Sequence, residues 1–247
     1  MKLARVKTTK GISCAAFKDN TWLGVEDLFD SPLKYTGEIF AEHEITFLSP
    51  VEPRVILAMA HNGSPDQLNN PPQAFQKSIH TLAGPHDPIY YDVQFGQMDI
   101  ECELTAVISK RARNLTLENA MEHVLGFTVG NDVTLPDQTR EDHLLFQTKN
   151  GDGFTPFGPW IETDFKNYDD VTMYVRVNGE QVIKTSTNQL ARGVAAQLVY
   201  ITKFTTLERG DVLLGGSPSS MYAVKVNDQV ELEIEGIGIL ANPIVSY

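Results

Sequence analysis

The chain has 247 residues, 42% of them hydrophobic and 21% charged, enough apolar side chain for one large packed domain and too much for wholesale disorder. Lysine plus arginine number 20 against 32 aspartates and glutamates, a formal net charge of −12. That balance excludes a general nucleic-acid binder or a binder of anionic membranes, because both need basic surface.

In chain order, the first 49 residues read as a small β unit. An apolar run over residues 12–17, the turn-like Lys18-Asp19-Asn20 and the segment 22–25 have hairpin chemistry. Pro50 and Pro53 stiffen a connector, and the domain boundary is placed there, giving 1–49 and 50–247. Residues 54–60 predict a buried strand, 61–74 a loop, and 101–108 a strand. Helical spacing appears over 117–124, with Thr116 as the cap, and more strongly over 189–206. A strand over 171–177 runs into Asn178-Gly179, the strongest short hairpin signal in the chain. Further strands are expected at 210–214 and 229–234. The expected class is mostly β with a few helices (α+β). No apolar run is long enough to span a bilayer, and no apolar segment follows the basic N-terminus. Cys14 and Cys102 form no metal-binding or disulfide pattern and read as small buried hydrophobes. A soluble, reduced, cytoplasmic protein is the expectation.

The segment 98–104 carries the most chemistry. In a strand, Ile100, Cys102 and Leu104 share one face, and Glu101 and Glu103 share the other. Two carboxylates side by side repel unless water or a cation intervenes. The pair therefore reads either as ligands of a hard cation such as Mg²⁺ or Mn²⁺, or as the wet face of an amphipathic strand. A third acid, Asp132, ends the apolar run 126–131, where a turn or cap explains it equally well. The stretch from Lys149 to Trp160 is rich in glycine and proline and reads as a loop, as does 215–218. The latter lacks the Gly-Lys-Ser/Thr ending of a nucleotide-phosphate loop.

Taken in order, these segments resemble the fumarylacetoacetate hydrolase superfamily, of the acylpyruvate hydrolase and 2-hydroxyhepta-2,4-diene-1,7-dioate isomerase type. The carrying segments are Phe75-Gln76-Lys77, Glu101-Cys102-Glu103-Leu104, 126–137, 149–160, Val177-Asn178-Gly179-Glu180, 207–211 and 236–242. The resemblance spans roughly residues 50–247 and implies a mixed β-roll, a homodimer, and a small-molecule 2-oxo acid substrate. It also implies a divalent cation, Mg²⁺ or Mn²⁺, held by Glu101, Glu103 and Asp132. Lys149 matches the family's catalytic loop lysine. Phe75, Lys77 and Ser217 match its substrate-binding segments. The activity implied is hydrolysis of a C–C bond in a 2,4-dioxo acid through a metal-stabilised enolate. The alternatives are decarboxylation or keto–enol isomerisation of a 2-oxo dicarboxylate, and a non-catalytic binder of metal and 2-oxo acids.

Two departures bear on that choice. The family's hydrolases carry a His-x-x-Glu pair after the first strand of the catalytic domain, and here Pro65 stands near the histidine's place. Pro136 likewise replaces an arginine before Asp137. His61, at the head of the 61–74 loop, is the expected substitute base, with His80 and His86 behind it. His43, His123 and His143 are expected to be structural.

Overall fold

Two β-sheets, one of 13 strands and one of 5, hold most of the chain in the computed structural model, which describes residues 1–247. The architecture is mostly β with two short α-helices, as the sequence predicts.

At the N-terminus, β1 (Lys2–Thr8), β2 (Gly11–Lys18), β3 (Thr21–Val25) and β4 (Tyr35–Phe40) pair antiparallel in order, and β5 (Thr46–Phe47) adds to β1. Asp19 and Asn20 turn the β2–β3 hairpin with φ of 50° and 59°, the handedness a two-residue turn needs to match strand twist. Sequence patterning misses β1 and β4. Leu3, Ala4 and Val6 of β1 are buried between exposed or half-exposed basic residues. β4 buries no residue and forms only because β3 offers an edge.

Next come β6 (Ile56–Ala60), β7 (Gln73–Lys77), β8 (Leu82–Ala83) and β9 (Ile89–Tyr91). β10 (Met98–Ile108) is buried at every residue and pairs antiparallel with β11 (Val124–Asn131). A four-residue helix, α1 (Phe146–Lys149), precedes β12 (Thr155–Glu162). β13 (Thr172–Val177) and β14 (Glu180–Ser186) form the hairpin expected at Asn178-Gly179. The second helix, α2 (Val194–Thr202), leads to β15 (Val212–Leu214), β16 (Met221–Val224), β17 (Gln229–Ile234) and β18 (Gly238–Ser246).

The main path of the large sheet runs β4-β3-β2-β1-β12-β11-β10-β15-β6-β7, and the small sheet β14-β13-β17-β18-β9. The β15–β6, β12–β8 and β18–β9 pairs are parallel, so the sheets are mixed. Because β1 pairs with β12, the first 49 residues extend the main sheet continuously. β10 alternates in the manner predicted. Ile100, Cys102, Leu104, Ala106 and Ile108 pack with Met173, Val175, Leu232 and Leu240 of the small sheet. On the opposite face, Val107 packs with Ile56, Phe157, Ile161 and Val212. Glu101 and Glu103 lie on this second face and are buried, not solvated. Full burial of each such aliphatic side chain contributes about 1.5–3 kcal/mol, which makes the interior able to carry polar groups at a cost.

Three expectations are corrected. The helix predicted over 189–206 exists only as α2, because Asn62 captures the backbone before it. Ala191 N donates to Asn62 O at 3.1 Å and Arg192 N to Asn62 Oδ1 at 2.9 Å, so neither amide is free for a helix. The helix predicted over 117–124 is a single 3-10 turn, Ala120–His123; Asn119 Oδ1 accepts from Thr116 N at 2.9 Å and tightens the approach. The loop predicted over 149–160 is real only to Phe154. Beyond it Pro156 and Pro159 sit in β12, tolerated by an interrupted ladder with β11 and a two-residue pairing with β8. Of the cysteines, Cys102 is buried, Cys14 is half-buried, and neither is paired. No helix is long and apolar enough to cross a membrane.

Candidate metal centre

The centre forms where β11 ends beside β10. Cys102 pairs with Asn131, and the next residue, Asp132, donates its N–H to Glu101 O at 3.1 Å. Glu101 N returns a bond to Asn131 Oδ1 at 3.1 Å. These bonds set Asp132 against the Glu101–Glu103 face. Carboxylate oxygens of Glu101, Glu103 and Asp132 lie within 4.8 Å of one another, all three residues being buried. Thr134, two residues beyond Asp132, bonds through its hydroxyl to Glu101 Oε1.

Two lysines enter from different elements. At the end of α1, Lys149 Nζ donates to Glu101 Oε1 at 2.9 Å, Asp132 Oδ2 at 2.6 Å and Thr134 Oγ1 at 2.6 Å. At the end of β7, Lys77 Nζ donates to Asp132 Oδ1 at 2.5 Å and to Phe154 O at 2.8 Å. Burial opposes the Asp132 carboxylate, but Lys149 and Lys77 outweigh it and hold the carboxyl below its ordinary value. Burial also opposes the Lys149 ammonium, yet Asp132 and Glu101 keep it above the usual lysine value. For Lys77 burial wins and pulls it below that value, against the pull of Asp132.

Glu103 is different. Its Oε2 accepts one hydrogen bond, from Gly216 N at 2.8 Å, and it forms no ion pair of its own. Burial, then Asp132 and Glu101, push its carboxyl well above the carboxylate range. A buried acid without a cation beside two others is what a divalent ion would satisfy, and an all-oxygen donor set suits a hard ion. With Glu103 ionised, as a metal ligand must be, three carboxylates and two ammoniums leave one formal negative charge. A dication reverses that sign, as recognition of an anionic substrate requires in so acidic a chain. The residues therefore fit a divalent metal.

The centre opens into a cavity of about 460 Å³. Met59, Phe75 and Met221 give it apolar wall, and Lys149 Nζ sits 5.3 Å from the centre of the Phe75 ring. His61, Asn62, Ser64, Gln67, Ser217 and Ser219 give it polar wall.

Residues 52–245 match the family model for the fumarylacetoacetate (FAA) hydrolase C-terminal domain. The chain belongs to the fumarylacetoacetate hydrolase family. A solved structure of 5-carboxymethyl-2-hydroxymuconate delta-isomerase from Mycobacterium smegmatis superposes with a TM-score of 0.95 at 28% identity, covering 100% of both chains. A human mitochondrial oxaloacetate tautomerase is 32% identical over 220 residues, 82% of this chain and 70% of that protein. The 4-hydroxyphenylacetate degradation bifunctional isomerase/decarboxylase of Salmonella dublin is 32% identical over 228 residues, 88% of this chain and 49% of that protein. The chain is thus an enzyme of this family, whose members commonly use a divalent metal.

The fumarylacetoacetate hydrolase fold brings Glu101, Glu103, Asp132 and Lys149 together, and Phe75, Ser217 and His61 line the same cavity. Lys77, a substrate contact by resemblance, does not line it. Its ammonium is fully buried against Asp132 and Phe154 O, so it contacts the acid cluster and not the cavity. His80 and His86 are exposed and outside the cavity lining. Sequence reasoning missed Thr134, Asn131 and the Gly216 amide. Thr134 was open to detection, because it shares strand parity with Asp132. The Gly216 contact crosses 113 positions and has no local signal.

Proposed function

We propose that the protein is a divalent-metal-dependent keto–enol isomerase of a short 2-oxo dicarboxylate. The observation that carries this reading is what lines the cavity. Apart from Glu101, Glu103 and Asp132 it has no acidic residue, and its one histidine, His61, stands without a hydrogen-bonded carboxylate. C–C hydrolysis, the first expectation from the sequence, needs an attacking water deprotonated and a leaving carbon protonated. A His–carboxylate pair serves that work. Keto–enol isomerisation moves one proton between carbon and oxygen and consumes no water. A single imidazole can accept that proton from C3 and return it to the 2-oxygen.

Mg²⁺ or Mn²⁺ held by Glu101, Glu103 and Asp132 would supply Lewis-acid polarisation of the 2-oxo group. Lys149 places a fixed positive charge at the mouth of the triad, where an enolate oxygen gains charge. Phe75 and Met59 shield one wall from water, and Ser217, Ser64 and Gln67 offer hydrogen bonds to the far carboxylate. The tautomerase and isomerase names among the relatives point the same way.

The test is to offer the protein, with Mg²⁺, oxaloacetate, an acylpyruvate and fumarylpyruvate while the ultraviolet enol band is followed. Protein-dependent acceleration of the oxaloacetate keto–enol change, without pyruvate or carbon dioxide release, is expected. Pyruvate released from the acylpyruvate would replace this reading with hydrolysis, and carbon dioxide from oxaloacetate with decarboxylation.

A further inference from the structure

One rim of the cavity has no core of its own. The segment 61–72 joins β6 to β7, and the 3-10 turn within it, Pro65–Asn69, buries none of its residues. Leu68 is 58% exposed. Yet this segment supplies His61, Gly63, Ser64 and Gln67 to the cavity lining. With so little apolar burial, hydrogen bonds must hold it in place.

Those bonds converge on Arg192, just ahead of α2. Its guanidinium donates through Nη1 to Gln67 O at 3.4 Å, and through Nη2 to Leu68 O at 2.9 Å and to Asn70 O. These carbonyls cluster at the C-terminal end of the turn, where Gln67 O also accepts from Asn70 N at 3.0 Å while Leu68 O and Asn70 O have no backbone donor. The Arg192 backbone clasps the other end of the segment. Its N–H donates to Asn62 Oδ1 at 2.9 Å, and its carbonyl accepts from Asn62 Nδ2 at 3.0 Å. Asn62 Nδ2 also donates to Gly215 O at 2.8 Å, and the neighbouring Gly216 N–H is the one that reaches Glu103. Between β6 and this knot, His61 adopts φ of 52°, a left-handed conformation that a non-glycine residue keeps when its flanks are fixed.

We infer that Arg192 is a positioning residue that straps the rim, presetting the base His61 beside the reacting carbon and Ser64 and Gln67 around the far carboxylate. This rests on the reading of the cavity as a 2-oxo acid site. The planar guanidinium fork reaches several carbonyls at once, which a lysine ammonium on a flexible stem does not reproduce.

Arg192→Ala and Arg192→Lys, each loaded with Mg²⁺, test the strap. Thermolysin cleavage before Leu68 is expected to rise about tenfold in Arg192→Ala, with the melting temperature close to wild type. The KM for oxaloacetate should rise about tenfold as Ser64 and Gln67 loosen, and kcat should fall severalfold as His61 loses its set position. Inhibition by oxalate, which spans only the triad and Lys149, should stay unchanged. Arg192→Lys should fall between the two in both cleavage and KM, and keeps the test open should the alanine variant fold poorly. Unchanged cleavage would overturn the strap, and that readout needs no turnover, so it separates from a failure of the isomerase reading. Equal weakening of oxalate and oxaloacetate would also overturn it, because the effect would then lie on the triad.

Discussion

Lys77 and Lys149 both bond Asp132, yet the surroundings of each assign it different work. Lys77 is 0% exposed and spends a second donor on a backbone carbonyl. Lys149 lines the cavity and touches two of the three acids. Replacing Lys77 by methionine removes one partner of a buried ion pair and leaves Phe154 O without its donor. Such losses cost about 3–5 kcal/mol, so Lys77→Met should show a clear drop in melting temperature and weaker Mn²⁺ binding by titration. Lys149→Met should lower kcat about 100-fold with little change in KM, as loss of a charge that acts on a developing oxyanion does. A rise in KM alone would make Lys149 a ground-state binding group. Steady-state kinetics of the two variants beside their melting curves separates the roles. Side-chain parity within one strand made Glu101 and Glu103 legible in the sequence. The role of Lys77 was not, because it depends on β7 lying beside β6, with Lys77 opposite Ile56.

At the scale of elements, what was legible is what is local. The Asn178-Gly179 hairpin, the β2–β3 turn and the alternation of β10 depend on residues within a few positions, and they formed as read. The shortened α2 and the extended β12 depend on distant partners, Asn62 for one and β11 with β8 for the other. Helix α1 makes the same point. Four residues are too few to hold a helix alone, since nucleation is unfavourable and few bonds repay it. Asp142 supplies the missing hold. Its Oδ1 accepts from Phe146 N at 3.0 Å and its Oδ2 from Thr148 N at 2.8 Å, so the helix that carries Lys149 is tethered by one carboxylate. Asp142→Ala should cost about 1–2 kcal/mol in denaturant unfolding and, by loosening the Lys149 helix, lower kcat about tenfold. Asp142→Asn keeps one strong acceptor and should recover part of both. A variant that loses stability but retains full kcat would show that Lys149 is held by its acids alone.

Across the whole molecule, the acid cluster is a cost that the fold carries until a cation arrives. Its members come from positions 101, 103 and 132, which an unfolded chain does not hold together. A metal held by them would therefore bind the folded state preferentially and stabilise it by mass action, about 2.7 kcal/mol at a concentration 100 times Kd. For a chain of this size each kcal/mol shifts the melting temperature by about 2–4 °C. Saturating Mg²⁺ or Mn²⁺ should thus raise it by about 5–10 °C over the chelated protein. Glu103→Gln separates this from a general salt effect. Glu103 has no ion-pair partner, and burial beside Asp132 and Glu101 holds its carboxyl protonated when no cation is bound, so a neutral amide of the same shape costs the chelated protein little. The chelated variant should melt close to the chelated wild type, and added metal should raise it far less. If chelated Glu103→Gln were instead the less stable protein, the carboxylate would be a structural partner of the Gly216 turn first and a metal ligand second.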